Sequence, residues 1–213
     1  MDLKIARLIV GPIQTNCYIA YMEGAEKAVC IDPGANEAKV LGRLHGLGLG
    51  LDSILLTHWH PDHIGAAGEL RAETGARVLI GALDADRLDL TKDDFGLLQA
   101  KPSGFRSADS RLVDGEERTA AGIRFLTMLT PGHTPGGVCY YIPGEKVLFS
   151  GDTLFFGSVG RTDLVGGDFE SLRASVLGKL FALDDDVRVL PGHGPETTIG
   201  RERLRVTALL NAF

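Results

Sequence analysis

The stretch that decides the fold reads Ile54-Leu55-Leu56-Thr57-His58-Trp59-His60-Pro61-Asp62-His63. Its first three residues form a short apolar run typical of a buried strand, and three of the chain's six histidines follow directly. His58 and His60 are two residues apart, so both imidazoles can point the same way. Asp62 and His63 open the next helix and leave from its first turn. Two pairs of donors that diverge from one short turn can serve two adjacent metal ions.

Three further donor residues stand just after apolar runs elsewhere in the chain: His133, Asp152 and His193. If the four strand ends lie at one edge of a sheet layer, these side chains join those of the central loop. Five imidazoles and two carboxylates suit Zn²⁺, Fe²⁺ or Mn²⁺. The set contains no thiolate, whereas a closed structural zinc site more often uses cysteine. The pattern therefore favours a metal site that does chemistry.

Strands and helices alternate along the whole chain. Strands are predicted at Leu3–Val10, Thr15–Met22, Ala28–Ile31, Ile54–Leu56, Val78–Ile80, Ile123–Leu129, Val138–Ile142, Lys146–Phe149 and Val187–Leu190. Helices are predicted from about residue 36 to 47, at about Pro61–Thr74 and Phe169–Leu183, and near the C-terminus. Interleaved elements of this kind predict one α/β domain over residues 1–213.

Two features stand outside the main pattern. The segment 83–118 is rich in aspartate, Asp84 among them, and has weak periodicity. It is either a solvated connection or a flap over a site. His45 lies on a predicted helix away from the other donors, so we expect a surface or helix-end histidine there.

Composition limits the classes of partner. The 213 residues carry 22 Lys+Arg against 28 Asp+Glu, a net charge of −6, which argues against attraction to nucleic acid or to an anionic membrane. No run of 18 apolar residues occurs, and the charged N-terminus lacks the apolar core of a signal peptide. The three cysteines have no CxxC spacing and predict reduced thiols. We therefore expect a cytoplasmic protein, and the oligomeric state stays open.

These motifs resemble the metallo-β-lactamase-fold hydrolase superfamily, and within it the short glyoxalase-II-like (hydroxyacylglutathione hydrolase-like) group. The resemblance extends over nearly the whole chain, through Asn16-Cys17-Tyr18, Ile31-Asp32-Pro33-Gly34, Thr57–Gly65, Thr130-Pro131-Gly132-His133-Thr134, Gly151-Asp152-Thr153, Gly160-Arg161-Thr162-Asp163 and Pro191-Gly192-His193-Gly194. It implies a single-domain αββα sandwich with two divalent metal ions at one edge, zinc being favoured over iron or manganese.

The resemblance also implies roles for individual residues. His58, His60 and His133 would hold one metal, Asp62, His63 and His193 the other, and Asp152 would bridge the two. Asp32 would orient the loop that carries His58, His60, Asp62 and His63 without binding a metal itself. Arg161 corresponds to the basic substrate-binding residue of glyoxalase II. The tyrosine expected two positions later is Asp163, and the tyrosine expected two positions after His193 is Pro195. We expect no counterpart of the helical domain that follows in glyoxalase II.

The activity implied is hydrolysis of a thioester or ester small molecule by a metal-bridging hydroxide, which Asp62 would both ligate and orient. A second class of the same fold, the persulfide dioxygenases, binds one iron and oxidises glutathione persulfide, and sequence does not separate the two. A β-lactamase is disfavoured because a bridging Asp152 does not match the pattern of that group.

Overall fold

A computed structural model describes residues 2–88 and 107–211 of the chain. Within these residues, twelve strands form two six-stranded sheets and two short strands form a separate hairpin. The first sheet contains β1 (Leu3–Val10), β2 (Thr15–Met22), β3 (Lys27–Ile31), β4 (Gly50–Leu56), β5 (Arg77–Gly81) and β6 (Ser110–Leu112), in that spatial order.

The first sheet changes from antiparallel to parallel pairing at β3. Helix α1 (Glu37–Gly46) connects β3 to β4, and α2 (Pro61–Ile64) with α3 (Ala67–Thr74) connects β4 to β5. Because β3 and β4 run in the same direction, both end at one edge of the sheet. That edge receives Asp32 after β3 and the histidine loop after β4.

The second sheet has the spatial order β14-β13-β10-β9-β8-β7. Its strands are β7 (Glu117–Ala120), β8 (Ile123–Leu129), β9 (Val138–Ile142), β10 (Val147–Gly151), β13 (Arg188–Pro191) and β14 (Thr197–Thr198), and the hairpin is β11 (Leu154–Phe155) with β12 (Ser158–Val159). β13 is parallel to β10, and β8 has the same direction because antiparallel β9 lies between them. All three strands therefore end at one edge.

Two helical segments cover the second sheet. The first begins as α4 (Phe169–Ala174) and continues through a π-helical turn (Ser175–Lys179) and a 3₁₀ turn (Leu180–Ala182). The second is α5 (Ile199–Leu210), which the Thr198 hydroxyl caps by accepting from the Arg201 backbone N–H.

Three apolar cores separate four layers. The middle core joins the two sheets and contains Tyr18, Ile31, Leu55, Phe125, Tyr140 and Phe149. The outer cores pack each sheet against its helices, with Val40, Leu44, Ile54, Leu56 and Leu70 on one side and Leu148, Val176, Leu180, Val189 and Val206 on the other. Leu55 faces the middle core while its neighbours Ile54 and Leu56 face the helices, as alternation along a strand requires. The predicted αββα sandwich is confirmed.

The predicted continuous helix over Pro61–Thr74 is wrong, since the helix is interrupted at Gly65 and Ala66. The Ala66 backbone N–H donates to the Pro33 carbonyl oxygen at 2.9 Å instead of continuing the helix. A Cβ on Gly65 would lie 2.3 Å from the Gly34 carbonyl oxygen, so the break lets this chain segment approach the turn after β3.

The expectation of an irregular, solvated connection over 83–118 is also partly wrong. Asp84 is fully buried, and β6 and the start of β7 lie within this segment. Residues 89–106, on which the flap hypothesis depends, lie outside the described residues.

Other expectations agree with the structure. His45 is exposed in the last turn of α1, and the cysteines are buried free thiols. In addition, Trp59 is buried in the core between the first sheet and its helices. Among the described residues, no helix has the length and apolar character that a membrane span requires.

Candidate metal centre

The strand ends of both sheets bring seven donor side chains together at one edge of the sandwich. Within the described residues, two groups have ligand atoms lying within 4.8 Å of one another and share no member. We name them the first cluster (His58, His60 and His133) and the second cluster (Asp62, His63 and His193). A third group, made by His58, His63 and Asp152, links them.

The first cluster is made by imidazoles alone. His60 Nδ1 and His133 Nε2 are 2.9 Å apart, and the His58 ring centroid lies 4.6 Å from that of His60 and 4.8 Å from that of His133. All three side chains are buried. Three converging imidazoles are a common donor set for zinc and iron.

The second cluster mixes a carboxylate with two imidazoles. Asp62 Oδ2 lies 3.3 Å from His63 Nε2 and 3.2 Å from His193 Nε2. Asp152 faces both clusters, because its Oδ1 is 3.3 Å from His63 Nε2 and its Oδ2 is 3.6 Å from Nε2 of both His133 and His193. The carboxylate of Asp152 thus lies between the two clusters.

Asp32 sets which ring nitrogens of two histidines can act as ligands. Its Oδ1 accepts from the Thr57 backbone N–H at 2.8 Å, and its Oδ2 accepts from the Thr57 hydroxyl at 2.7 Å. The Thr57 oxygen then accepts from His58 Nδ1–H at 3.0 Å, and His63 Nδ1–H donates to Asp32 directly at 2.9 Å. With Nδ1 of each ring engaged in this way, Nε2 is the nitrogen that each ring directs toward the cluster.

Backbone carbonyls and the start of β2 hold the remaining histidine loops. His133 Nδ1–H donates to the Arg161 carbonyl oxygen at 2.7 Å, which leaves His133 Nε2 as the predicted ligand atom. The loop that carries His193 is held by Asn16, whose side chain donates to the Pro191 and Gly194 carbonyls at 2.9 Å each.

Burial and neighbouring imidazoles keep the first cluster neutral. Burial, with the nearby rings of His63, His60 and His133, holds the pKa of His58 well below its usual value. The same causes lower the pKa of His60 to about 3. Both rings are therefore in the unprotonated state that metal ligation requires at neutral pH.

Carboxylates have the opposite effect in the second cluster. Burial alone would lower the pKa of His63, but Asp62, Asp152 and Asp32 outweigh it and raise that pKa well above the usual value. Burial would raise the pKa of Asp62, yet His63 and His193 bring it far below its usual value. The two carboxylates facing this cluster are thus ionised, and His63 holds a proton that a cation would displace.

Several observations test whether a metal fits here. His58 Nε2, His63 Nε2 and Asp152 Oδ1 are buried and make no hydrogen bond with the described residues. A Cβ on Gly192 would lie 2.2 Å from Asp152 Oδ1 and 2.6 Å from His63 Cε1, so only glycine fits at this position beside the two donors. Unpartnered nitrogen and oxygen donors around a glycine-lined space fit divalent transition metals.

Comparison with known proteins identifies the family of this chain. The sequence profile described as "Metallo-beta-lactamase superfamily" matches residues 10–193. The chain belongs to the metallo-β-lactamase superfamily. Two relatives match over 99% of both chains: the probable metallo-hydrolase YqgX of Bacillus subtilis (strain 168), 38% identical over 213 residues, and the hydroxyacylglutathione hydrolase GloC of Haemophilus influenzae, 36% identical over 216 residues.

Solved structures share the fold along nearly the whole chain. The BLEG-1 B3 metallo-beta-lactamase is 39% identical with a TM-score of 0.87, over 93% of this chain and 96% of that chain. TTHA1623 in a di-iron-bound form is 39% identical with a TM-score of 0.82, over 94% and 98%. ETHE1 from Myxococcus xanthus is 28% identical with a TM-score of 0.80, over 95% and 82%.

In this metallo-β-lactamase superfamily member, the predicted site residues fall into three groups by their contacts. The seven predicted ligands meet at one edge, and Asp32 touches His63, although metal binding by these side chains stays a prediction. Arg161 instead forms a bidentate ion pair with Asp163, and both side chains are more than half exposed. Thr57 was missed as a functional residue, although its place between the strand end and the first histidine was a signal.

We expect the apparent metal affinity of this superfamily member to rise with pH. His63 holds its proton to a higher pH than an ordinary histidine, and a cation must displace that proton to bind. Affinity therefore increases as the pH rises, up to the raised pKa of His63, and levels off above it. Zinc titration against a chromophoric chelator at several pH values checks this. An affinity that stays flat, once corrected for the chelator's own protonation, would contradict it.

Proposed function

We propose that this superfamily member is a metal-dependent hydrolase that cleaves thioesters or esters of the hydroxyacylglutathione kind. The observation that carries the proposal is the pair of donor clusters with Asp152 facing both. The first cluster would hold one divalent ion and the second cluster another. Zinc is the favoured metal, and similarity to a di-iron protein supports iron as well.

When bound, two adjacent divalent ions supply an activated water at neutral pH and a Lewis acid for a carbonyl oxygen. The protein's own contribution is orientation. Asp62 is partly open to solvent, is ionised, and is held by the Thr15 hydroxyl, which donates to its Oδ2 at 3.0 Å. A carboxylate fixed in this way would accept a hydrogen bond from the attacking water. The hydrogen bond would direct a lone pair of the water oxygen toward the acyl carbon of the substrate.

The substrate class rests on relatives and on charge. The similarity to GloC supports an acylglutathione thioester, whose thiol part is anionic. Exposed guanidinium groups lie on α5. Arg201 and Arg205 of α5 lie 4.9 and 4.8 Å from the ring of the exposed Phe156, and within the described residues neither forms an ion pair. Phe156 follows Phe155, whose ring lies 6.2 Å from that of His193.

Arg161 gives a prediction about substrate charge. Its guanidinium can bind a carboxylate with two hydrogen bonds once it leaves Asp163. We expect Arg161→Ala to raise KM roughly tenfold for an anionic thioester, with a smaller rise for an uncharged ester. Asp163→Asn, which releases the guanidinium, is the matched variant and should lower KM for the anionic substrate. Equal losses on both substrates in Arg161→Ala would remove the binding role.

A second candidate is the persulfide dioxygenase, which the similarity to ETHE1 supports. Elemental analysis and three assays separate the classes: thioester hydrolysis under nitrogen, O₂ uptake with glutathione persulfide, and cleavage of a chromogenic cephalosporin, because of the similarity to BLEG-1. We expect about two metal ions per chain and thioester cleavage. One iron per chain with persulfide-dependent O₂ uptake and no thioester cleavage would overturn the hydrolase, as would cephalosporin cleavage alone.

A further inference from the structure

Asp84 is a buried carboxylate that the proposed chemistry does not use. It stands three residues after the end of β5 and immediately before the 3₁₀ turn Ala85–Arg87, and it is fully buried. Burial raises its pKa to about 6, although its hydrogen-bond donors oppose the rise. Burial of a carboxylate costs folding free energy. We therefore expect the hydrogen bonds of Asp84 to have a role besides stabilising the fold.

The contacts of Asp84 reach two separate loops. Its Oδ2 accepts from the Thr134 hydroxyl at 2.7 Å, and its Oδ1 accepts from the Gly136 backbone N–H at 2.6 Å. It also accepts from the backbone N–H of Trp59. Trp59 stands between His58 and His60, and Thr134 follows His133. One carboxylate therefore joins the two loops that carry the whole first cluster.

The packing around these hydrogen bonds leaves little freedom. A Cβ on Gly136 would lie 2.6 Å from Asp84 Oδ1, and a Cβ on Gly81 would lie 2.0 Å from the Gly136 carbonyl oxygen. The Arg87 guanidinium, one helical turn after Asp84, lies 5.4 Å from the centre of the Trp59 ring. Asp84 thus contacts the backbone of Trp59, and Arg87 contacts its ring.

We infer that Asp84 is a positioning residue, which fixes the distance between the His58–His60 loop and the His133 loop and so tunes the first cluster for its metal. The inference rests on the proposed metal centre. Asp32 has the corresponding task behind His58 and His63, but no described contact links Asp32 to His133. Asp84 supplies the link that Asp32 lacks.

Cobalt(II) binding tests this inference in two backgrounds. In His193→Ala, which impairs the second cluster, bound cobalt reports on the first cluster, and we expect Asp84→Asn to lower its affinity roughly tenfold to a hundredfold. In His133→Ala, which impairs the first cluster, Asp84→Asn should leave cobalt affinity unchanged. A general loss of stability would lower both affinities, so the contrast separates positioning from folding.

Two further variants keep the test interpretable. Asp86→Asn, two residues away on an exposed carboxylate that pairs with Arg111, is the matched control and should change neither affinity. Thr134→Val removes one donor to Asp84, and its effect should not add to that of Asp84→Asn, because both break one contact. Equal affinity losses in both backgrounds, or none in either, overturn the inference. Absence of cobalt binding by the unmodified protein would instead overturn the proposed metal centre.

Discussion

Replacing Asp152 with alanine is expected to remove bound metal and to lower kcat for thioester hydrolysis roughly 10³-fold or more. Asp152 faces both clusters, so its loss leaves each ion with one donor fewer and leaves the charges of two cations less balanced. Metal content by elemental analysis and turnover at saturating substrate check the prediction. His58→Ala should behave in the same way through the first cluster alone.

His45→Ala is the control for that experiment, because it removes an exposed histidine from the last turn of α1. We expect parental metal content and parental turnover from it. Full metal occupancy and full turnover in either Asp152→Ala or His58→Ala would show that the ligand assignment is wrong.

Asp32→Asn is expected to lower metal affinity roughly tenfold to a hundredfold while leaving the fold intact. Asp32 has a left-handed backbone with φ of 50°, which asparagine also adopts readily, so the substitution changes the side-chain chemistry alone. Oδ2 of Asp32 accepts from both the Thr57 hydroxyl and His63 Nδ1. An amide NH₂ there favours the tautomer in which His63 carries its proton on Nε2, the ligating atom.

The measurement for Asp32→Asn is zinc affinity by competition, together with the free energy of unfolding of the metal-free protein. Asp52→Asn makes the same chemical change on β4, away from the metal edge, and should leave zinc affinity at the parental value. An unchanged affinity in Asp32→Asn would mean that the hydrogen-bond chain does not select the tautomers.

The strand ends and the donor residues could be predicted from short-range patterns, whereas the αββα arrangement and the grouping of the donors were implied by resemblance to the superfamily. An apolar run followed by a histidine or an aspartate identifies where a buried strand ends, and the parallel directions of β8, β10 and β13 bring those ends to one edge. The spacing of His58 and His60 within one loop is likewise visible without any knowledge of tertiary structure.

The residues that sequence analysis misplaced depend on partners far away in the chain. The residues around Asp84 have the composition of a solvated loop. Only its hydrogen bond from Thr134, fifty residues later in the chain, shows that Asp84 is a buried acceptor. The break at Gly65 follows from the approach of Gly34, which helical periodicity does not report.

The donor clusters draw on both sheets, with residues 58–63 following the first sheet and residues 133, 152 and 193 following strands of the second. No part of the chain shorter than most of its length contains a complete donor set with Asp152 and His193. A complete donor set would therefore form only after one sheet has docked onto the other. Chains made when metal is scarce would reach a folded, metal-free state first. Ions that bind later would then stabilise the contact between two sheets that are already docked.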